Sequence, residues 1–373
     1  MLSGPALAAG AGEDGTCGPT PAAPAPPAVD VETHLFLVGD AGKPAPRGEP
    51  VLEALTRELA RDPSRSLVVF LGDNIYPHGL PPVASPERAK AERRLSAQIA
   101  GVRASGARAI FIPGNHDWAG GGAEGGEAVR RQGAFLEERG APLASLLPVA
   151  GCPGPAITDV GPKLRLVLLD TQWWLEEEPR HPTTGCSAGS EQEVLAALRD
   201  ALGSAGERNV AVLAHHPLAA GGPHGGQFGW ADNVFPLRTV KPWLWIPLPG
   251  LGSIYPLARK EGISPQDFSN ERNRHMRAAL EGVLREHPPL VYASGHEHSL
   301  QVLRGGSARN LLVSGGGILG HTDRAVCLPT SRFALGRAGF MRLDVEGGGR
   351  VRLGVLEVDA RKGAAERFSA WLE

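Results

Sequence analysis

Short apolar runs that end in a turn and a polar residue recur along the first third of the chain. His34 to Val38 leads into Gly39-Asp40-Ala41-Gly42, Leu67 to Leu71 into Gly72-Asp73-Asn74-Ile75-Tyr76, and Ala107 to Ile112 into Pro113-Gly114-Asn115-His116-Asp117. Between them the apolar positions fall at helical spacing: Val51, Leu52, Leu55 and Leu59 within Glu49 to Arg61, then Pro86 to Val102 and Glu127 to Arg139. Alternating strands and helices predict a sheet with helices on its faces, and in such sheets ligands gather beyond the carboxyl ends of the strands. A strand pair at Ala156 to Val160 and Leu164 to Leu169 follows, then a helix over Glu191 to Leu202 and a strand over Asn209 to Ala214 that ends in His215-His216-Pro217. A helix over Arg274 to Glu286 precedes a strand from Leu290 to Ser294, which ends in Gly295-His296-Glu297-His298. Strands at Leu300 to Leu303, Asn310 to Ser314, Gly339 to Val345 and Val351 to Val358 come in meander order and predict a second sheet packed on the first.

Periodicity fails in three places, which sets the expected organisation. Residues 1–32 form a Pro/Ala-rich leader expected to be disordered, residues 33–360 one domain, and residues 361–373 a C-terminal tail. Within the domain, residues 218–273 are rich in Pro, Gly and Trp and too long for an ordinary connection, so they read as an inserted lid or rim. Phe235, Trp243, Trp245 and Ile254 there either pack beside the mouth of a site or form an exposed apolar rim for a bulky leaving group, a partner or a membrane surface. Arg238, Lys241 and Arg259 would suit an anionic neighbour.

Composition narrows the class. The chain of 373 residues is 42% apolar and can bury a sizeable core. A formal net charge of -2, with acids and bases interspersed, gives no footprint for nucleic acid. No apolar run reaches the ~18 residues needed to span a bilayer. Cys17, Cys152, Cys186 and Cys327 lie too far apart for a zinc ribbon or a redox pair. A Cys152 to Cys186 disulfide is compatible with an exported protein, and buried free thiols are the alternative. Cys17 ahead of a Pro/Ala tether has the form of a bacterial lipoprotein cysteine, although Glu13 and Asp14 interrupt the apolar segment before it; a plain leader is the other reading. Oligomeric state is not legible.

Each polar cluster has an ordinary explanation by itself. Gly-Asp after a strand is usually a turn, Tyr76 a packed aromatic, His296 or His298 a core or surface histidine, and Asn115-His116-Asp117 a cap for the helix that follows. Their joint occurrence, always at a strand end, points to a cage for two metal ions, in which a carboxylate such as Asp73 bridges.

In that order, Gly-Asp, Gly-Asp, Gly-Asn-His-Asp, His and Gly-His-x-His resemble the motifs of the calcineurin-like metallophosphoesterases, from Asp40 to His298. Most of that superfamily has Asp-x-His in the first cluster, whereas Gly42 stands at the histidine position here. With Tyr76 in the second cluster, the pattern is most similar to the purple acid phosphatases of the single-domain, tartrate-resistant type. The resemblance implies a four-layer α/β/β/α sandwich of two packed mixed sheets. It also implies hydrolysis of a phosphate monoester through metal-bound hydroxide. By the same resemblance Asp40, Tyr76 and His298 would bind one metal, Asn115, His215 and His296 the other, and Asp73 both. The first set suits Fe(III), the second a divalent Fe, Zn or Mn. His116 would contact phosphate and protonate the leaving oxygen, and His224 is a candidate second acid or phosphate contact. His216 reads as a histidine packed against Pro217. Two readings compete: a phosphodiesterase or nucleotidase with two divalent metals and Tyr76 merely packed nearby, and a non-catalytic binding module using the Trp-rich rim.

Overall fold

The structure is a computed structural model that describes residues 15–17, 24–122, 124–176, 183–228, 233–235, 246–247 and 251–373. In chain order the elements are β1 (Val31–Val38), α1 (Pro50–Leu59), β2 (Ser66–Phe70), α2 (Arg88–Ser105), β3 (Arg108–Phe111), α3 (Gly125–Gly140) and β4 (Ala144–Leu146). There follow β5 (Ala156–Val160), β6 (Leu164–Leu168), α4 (Gln172–Leu175), α5 (Glu191–Gly203), β7 (Asn209–Leu213), α6 (Ile254–Lys260), α7 (Glu271–Glu286) and β8 (Val291–Ser294). The chain finishes with β9 (Leu300–Arg304), β10 (Asn310–Ser314), β11 (Ser331–Leu335), β12 (Gly339–Glu346), β13 (Val351–Asp359) and β14 (Gly363–Leu372).

Two seven-stranded sheets result, in the orders β14-β13-β12-β1-β2-β3-β4 and β11-β9-β10-β8-β7-β6-β5. Both are mixed. Strands β1 to β4 are parallel, and so are β6, β7, β8 and β10, while β12 to β14, β9, β11 and β5 run antiparallel to their neighbours. The parallel strands are apolar on both faces because each face is covered. Leu35 and Leu37 of β1 point to the second sheet, against a layer that includes Leu166, Leu213 and Leu312. Phe36 and Val38 point the other way, toward Val51, Leu55, Ile99 and Leu136 of α1 to α3. On the far side, Val167 and Val212 meet Val194 and Leu198 of α5 and Met276 and Leu280 of α7. The expected four-layer sandwich is therefore present.

Local rules account for the helix ends. Pro50 opens α1, where its missing N–H costs nothing. Ser190 and Glu193 close a reciprocal capping box on α5, and Asn270 caps α7 through the Arg272 N–H at 3.0 Å.

Three expectations are corrected. The C-terminal strands do not form the second sheet together: β8 to β11 lie in one sheet and β12 to β14 join β1 in the other, since alternation reports that a strand exists but not whom it pairs. Residues 361–373 are largely β14, paired with β13 through residues such as Phe368 and Ala370, so they are not a tail. The described parts of the leader are tied down: Arg352 donates to the Ala25 and Pro26 carbonyls, the Ala25 N–H to Ser369 Oγ, and Thr16 bridges Phe333. The structure pairs Cys17 with Cys327 and Cys152 with Cys186, and a Cys17 sulfur in a disulfide has no valence left for a lipid. Among the described residues no helix is long and apolar enough to cross a membrane. Of the rim, Arg238, Lys241, Trp243 and Trp245 lie outside the described residues. Ile254, Leu257 and Ile263 are exposed.

Candidate metal centre

The five clusters meet at one edge, beyond the carboxyl ends of β1, β2 and β3 in one sheet and β7 and β8 in the other. Backbone bonds stitch the two sheet ends together: the Gly39 N–H donates to the Ser314 carbonyl at 2.7 Å and the Gly317 N–H to the Gly39 carbonyl at 3.1 Å. Asp40, Asp73 and His296 adopt left-handed backbone angles, with φ of 62°, 55° and 69°. Non-glycine residues rarely sit there, and they do so where the surroundings fix the turn. Close approach has its own requirement. A Cβ on Gly42 would lie 2.3 Å from the Asn74 carbonyl carbon and 2.5 Å from the Asp73 carbonyl oxygen, so no histidine fits at this position without moving the Asp73 loop.

Tyr76 reaches Asp40 and His298 from the second cluster. Its hydroxyl donates to Asp40 Oδ1 at 3.1 Å and lies 3.1 Å from His298 Nε2. Burial, then the Asp40 and Asp73 carboxylates, push the phenol well above its ordinary pKa, so it is neutral unless a cation draws the proton off. The other carboxylate oxygen of Asp40 accepts the His296 N–H at 2.9 Å, which turns Oδ1 toward Tyr76 and His298. Asp73 is fixed by the His116 N–H on Oδ1 at 2.9 Å. Beneath both, buried Asp117 accepts N–H groups of Gly114, Asn74 and Ile75 at 2.8 to 3.1 Å and locks the second and third clusters together. Its pKa is raised to about 7, first by burial and then by the Asp73 charge.

The second donor set is compact enough to hold a cation. Asn115 Oδ1 stands 3.0 Å from His215 Nε2 and 3.1 Å from His296 Nδ1, and the two ring nitrogens are 3.2 Å apart. His215 Nδ1 faces the Leu71 carbonyl at 2.8 Å, and a carbonyl only accepts, so Nδ1 carries a proton and Nε2 is the nitrogen turned toward Asn115. His296 Nε2 faces the Gln266 carbonyl at 3.4 Å, which leaves Nδ1 in the same role. Burial, then the neighbouring histidines, hold His296 well below the usual imidazole pKa and therefore neutral. Three potential ligand atoms converge within 3.0 to 3.2 Å of one another, an arrangement that a metal ion satisfies. Asp40, Asp73 and His215 can likewise each turn one ligand atom into a volume within 4.8 Å of the others.

Three further histidines flank this cluster. His116 packs on Tyr76 with ring centroids 4.3 Å apart, and its Nδ1 donates to the Pro77 carbonyl at 2.7 Å, leaving Nε2 free of that bond. His224 lies against His296 at 4.0 Å, and its Nδ1 is held by Arg259 at 2.8 Å beside the buried carboxylate of Asp267. Arg259 is thus ion-paired with Asp267 rather than available to an anionic neighbour. His216 is buried and engaged at both nitrogens, by Thr171 Oγ1 at 2.8 Å and Gln266 Oε1 at 2.7 Å, and lies in one cluster with His215 and His296.

Sequence reading missed Asp323 and His321. Asp323 Oδ2 lies 3.0 Å from His298 Nδ1, and burial of His298 is outweighed by the Asp323 and Asp40 carboxylates, so its pKa lies well above the ordinary value. His321 packs against both His298 and Tyr76. Neither follows an apolar run, so no pattern in the sequence marks them.

Two packed mixed sheets that bring Asp, Asn, Tyr and His side chains to one shared edge define a metallophosphoesterase architecture. The chain belongs to the calcineurin-like phosphoesterases, whose family model matches residues 33–300, and membership indicates a hydrolase acting on phosphoesters. Among solved structures, GAP50, the anchor in the inner membrane complex of Plasmodium, is similar with a TM-score of 0.56 and 14% identity over 92% of this chain and 89% of its own. Purple acid phosphatase PPD1 from yellow lupin seeds gives 0.53 and 15% over 90% of this chain and 53% of its own. PhoD gives 0.53 and 15% over 93% and 69%. At such identities the likeness concerns the fold. By sequence, no curated protein matches the chain.

Proposed function

We propose that the protein is a phosphomonoesterase of purple acid phosphatase type. In this reading Asp40, Tyr76 and His298 hold Fe(III), Asn115, His215 and His296 hold a divalent Fe, Zn or Mn, and Asp73 serves both. The observation that carries it is the Tyr76 hydroxyl, 3.1 Å from both Asp40 Oδ1 and His298 Nε2, where Gly42 leaves no room for a histidine. Anionic oxygen donors suit a trivalent ion, and an amide oxygen with two neutral imidazoles suits a divalent one.

When bound, the ions would supply Lewis acidity toward the phosphoryl oxygens and make water a better nucleophile near neutral pH. The chain's own groups do the rest. Backbone N–H groups of His116 and His296 hold the Asp73 and Asp40 carboxylates so that their donor oxygens need no reorganisation. His116, with Nδ1–H tethered to Pro77, is placed to carry a proton on Nε2 to the departing ester oxygen. His224, oriented by Arg259 and Asp267 and packed on His296, would serve as a second phosphate contact or acid.

Two disulfides support an exported location, since such bonds persist in oxidising compartments. The test is hydrolysis of an aryl phosphate monoester by metal-loaded wild type and Asp73→Asn. Loss of at least 100-fold in kcat is expected, and a variant that retains wild-type turnover refutes the reading. Faster hydrolysis of a diester than of a monoester would instead favour a phosphodiesterase.

A further inference from the structure

The loop between β10 and β11 carries an imidazole that the reading above leaves without a task. His321 packs against the His298 ring, tilted by 36° with centroids 4.3 Å apart, and meets the Tyr76 ring edge-on at 5.4 Å and 90°. Its Nε2 is buried, yet among the described residues it has no hydrogen-bond partner. A polar atom buried beside a candidate metal centre and left unpaired is costly unless something else completes it.

The ring is not a loose surface group that happens to fall there. Its loop is fastened at both ends: the Leu319 N–H donates to buried Glu49 Oε1 at 2.9 Å, the Asp323 N–H to the His298 carbonyl at 2.8 Å and the Val326 N–H to the Gly221 carbonyl at 2.8 Å. Cys327, a few residues on, is disulfide-bonded to Cys17. Placement by so many ties holds His321 against Tyr76 and His298, while His224 packs on His296. His116 also packs against Tyr76.

We infer that His321 is a further substrate-binding residue, whose Nε2–H donates a hydrogen bond to a phosphoryl oxygen of the bound ester. The inference rests on the phosphoesterase reading. It assigns the residue a contact with the phosphate rather than with the leaving group, because the ring lies directly against two proposed ligand side chains.

His321→Phe keeps the aromatic packing and removes the nitrogens, while His321→Gln restores a donor. Metal-loaded proteins would be titrated calorimetrically with inorganic phosphate, and KM and kcat measured with an aryl phosphate. Expected for His321→Phe are about tenfold weaker phosphate binding and a similar rise in KM, as for the loss of one hydrogen bond to a charged group, at unchanged metal content, with partial recovery in His321→Gln. Phosphate affinity and KM within twofold of wild type in His321→Phe overturn the inference, and so does loss of a metal ion, which would make the residue a ligand. Wild type that binds two metals but no phosphate refutes the phosphoesterase reading itself, an outcome distinct from either.

Discussion

Asp323→Asn tests how the fold tunes its candidate first site. The substitution keeps the size of the side chain and an oxygen that can accept the His298 Nδ1–H, now at 3.0 Å, and removes only the charge. Two unit charges about 4 Å apart interact by about 1 kcal/mol in water and about 4 kcal/mol at an effective dielectric of 20. The Asp323 side chain is 42% exposed and that of His298 17%, so solvent screens the pair and the lower part of that range applies. About 1.4 kcal/mol, or tenfold in metal affinity, is the expected loss, at the weak end of the 10- to 100-fold typical of carboxylates behind a ligating histidine. The assay is retention of iron against a competing chelator, with thermal unfolding as a check on the fold. The pH dependence has a definite sign. Asp323 holds the His298 pKa above its ordinary value, so wild type protonates this ring more readily and loses more of its metal affinity as pH falls. The gap between wild type and variant should therefore be widest at high pH and narrow in acid. Equal retention of iron at all pH values would refute the assignment of Asp323 as the group that positions and polarises His298.

Other consequences are as direct. Gly42→Ala pushes a methyl into the Asp73 to Ile75 backbone, so a loss of about 1–3 kcal/mol or more in stability is expected; a thermal midpoint equal to wild type would show that the loop yields freely. His116→Asn should lower kcat by about 10²- to 10⁴-fold for an alkyl phosphate with a poor leaving group and much less for an activated aryl ester, and an equal loss on both would contradict a proton-donor role. Replacing both Cys152 and Cys186 by Ser opens a loop of 34 residues, with an expected cost of about 4 kcal/mol in the chain-entropy view, read as a lower urea midpoint.

How much of this was legible in the chain depends on whether the cause was local. The five clusters were readable because each follows an apolar run, and in this fold the carboxyl ends of β1, β2, β3, β7 and β8 converge, so sequence order and strand ends suffice to place Asp40, Asp73, Asn115, His215 and His296 together. Strand partners were not readable. The Gly363 to Leu372 strand reads as a tail because Ala365, Glu366 and Arg367 are exposed and its buried apolar residues, Phe368, Ala370 and Leu372, come only in its second half. Asp323 and His321 depend on a loop path set by contacts to Glu49, His298 and Gly221, far away in the chain, and nothing in their own neighbours announces it. Gly42 is the instructive middle case. As a departure from a motif it suggested a missing ligand, and the structure supplies the steric reason that no side chain belongs there.

The central claim, a tyrosinate-bound Fe(III) beside a divalent ion, is tested most directly by metal analysis and a visible spectrum on one sample of purified protein and on Tyr76→Phe. Two metal ions per chain, at least one of them iron, with a visible charge-transfer band that disappears in Tyr76→Phe, is the predicted result. A colourless protein with iron bound, or a band that survives Tyr76→Phe, would contradict it.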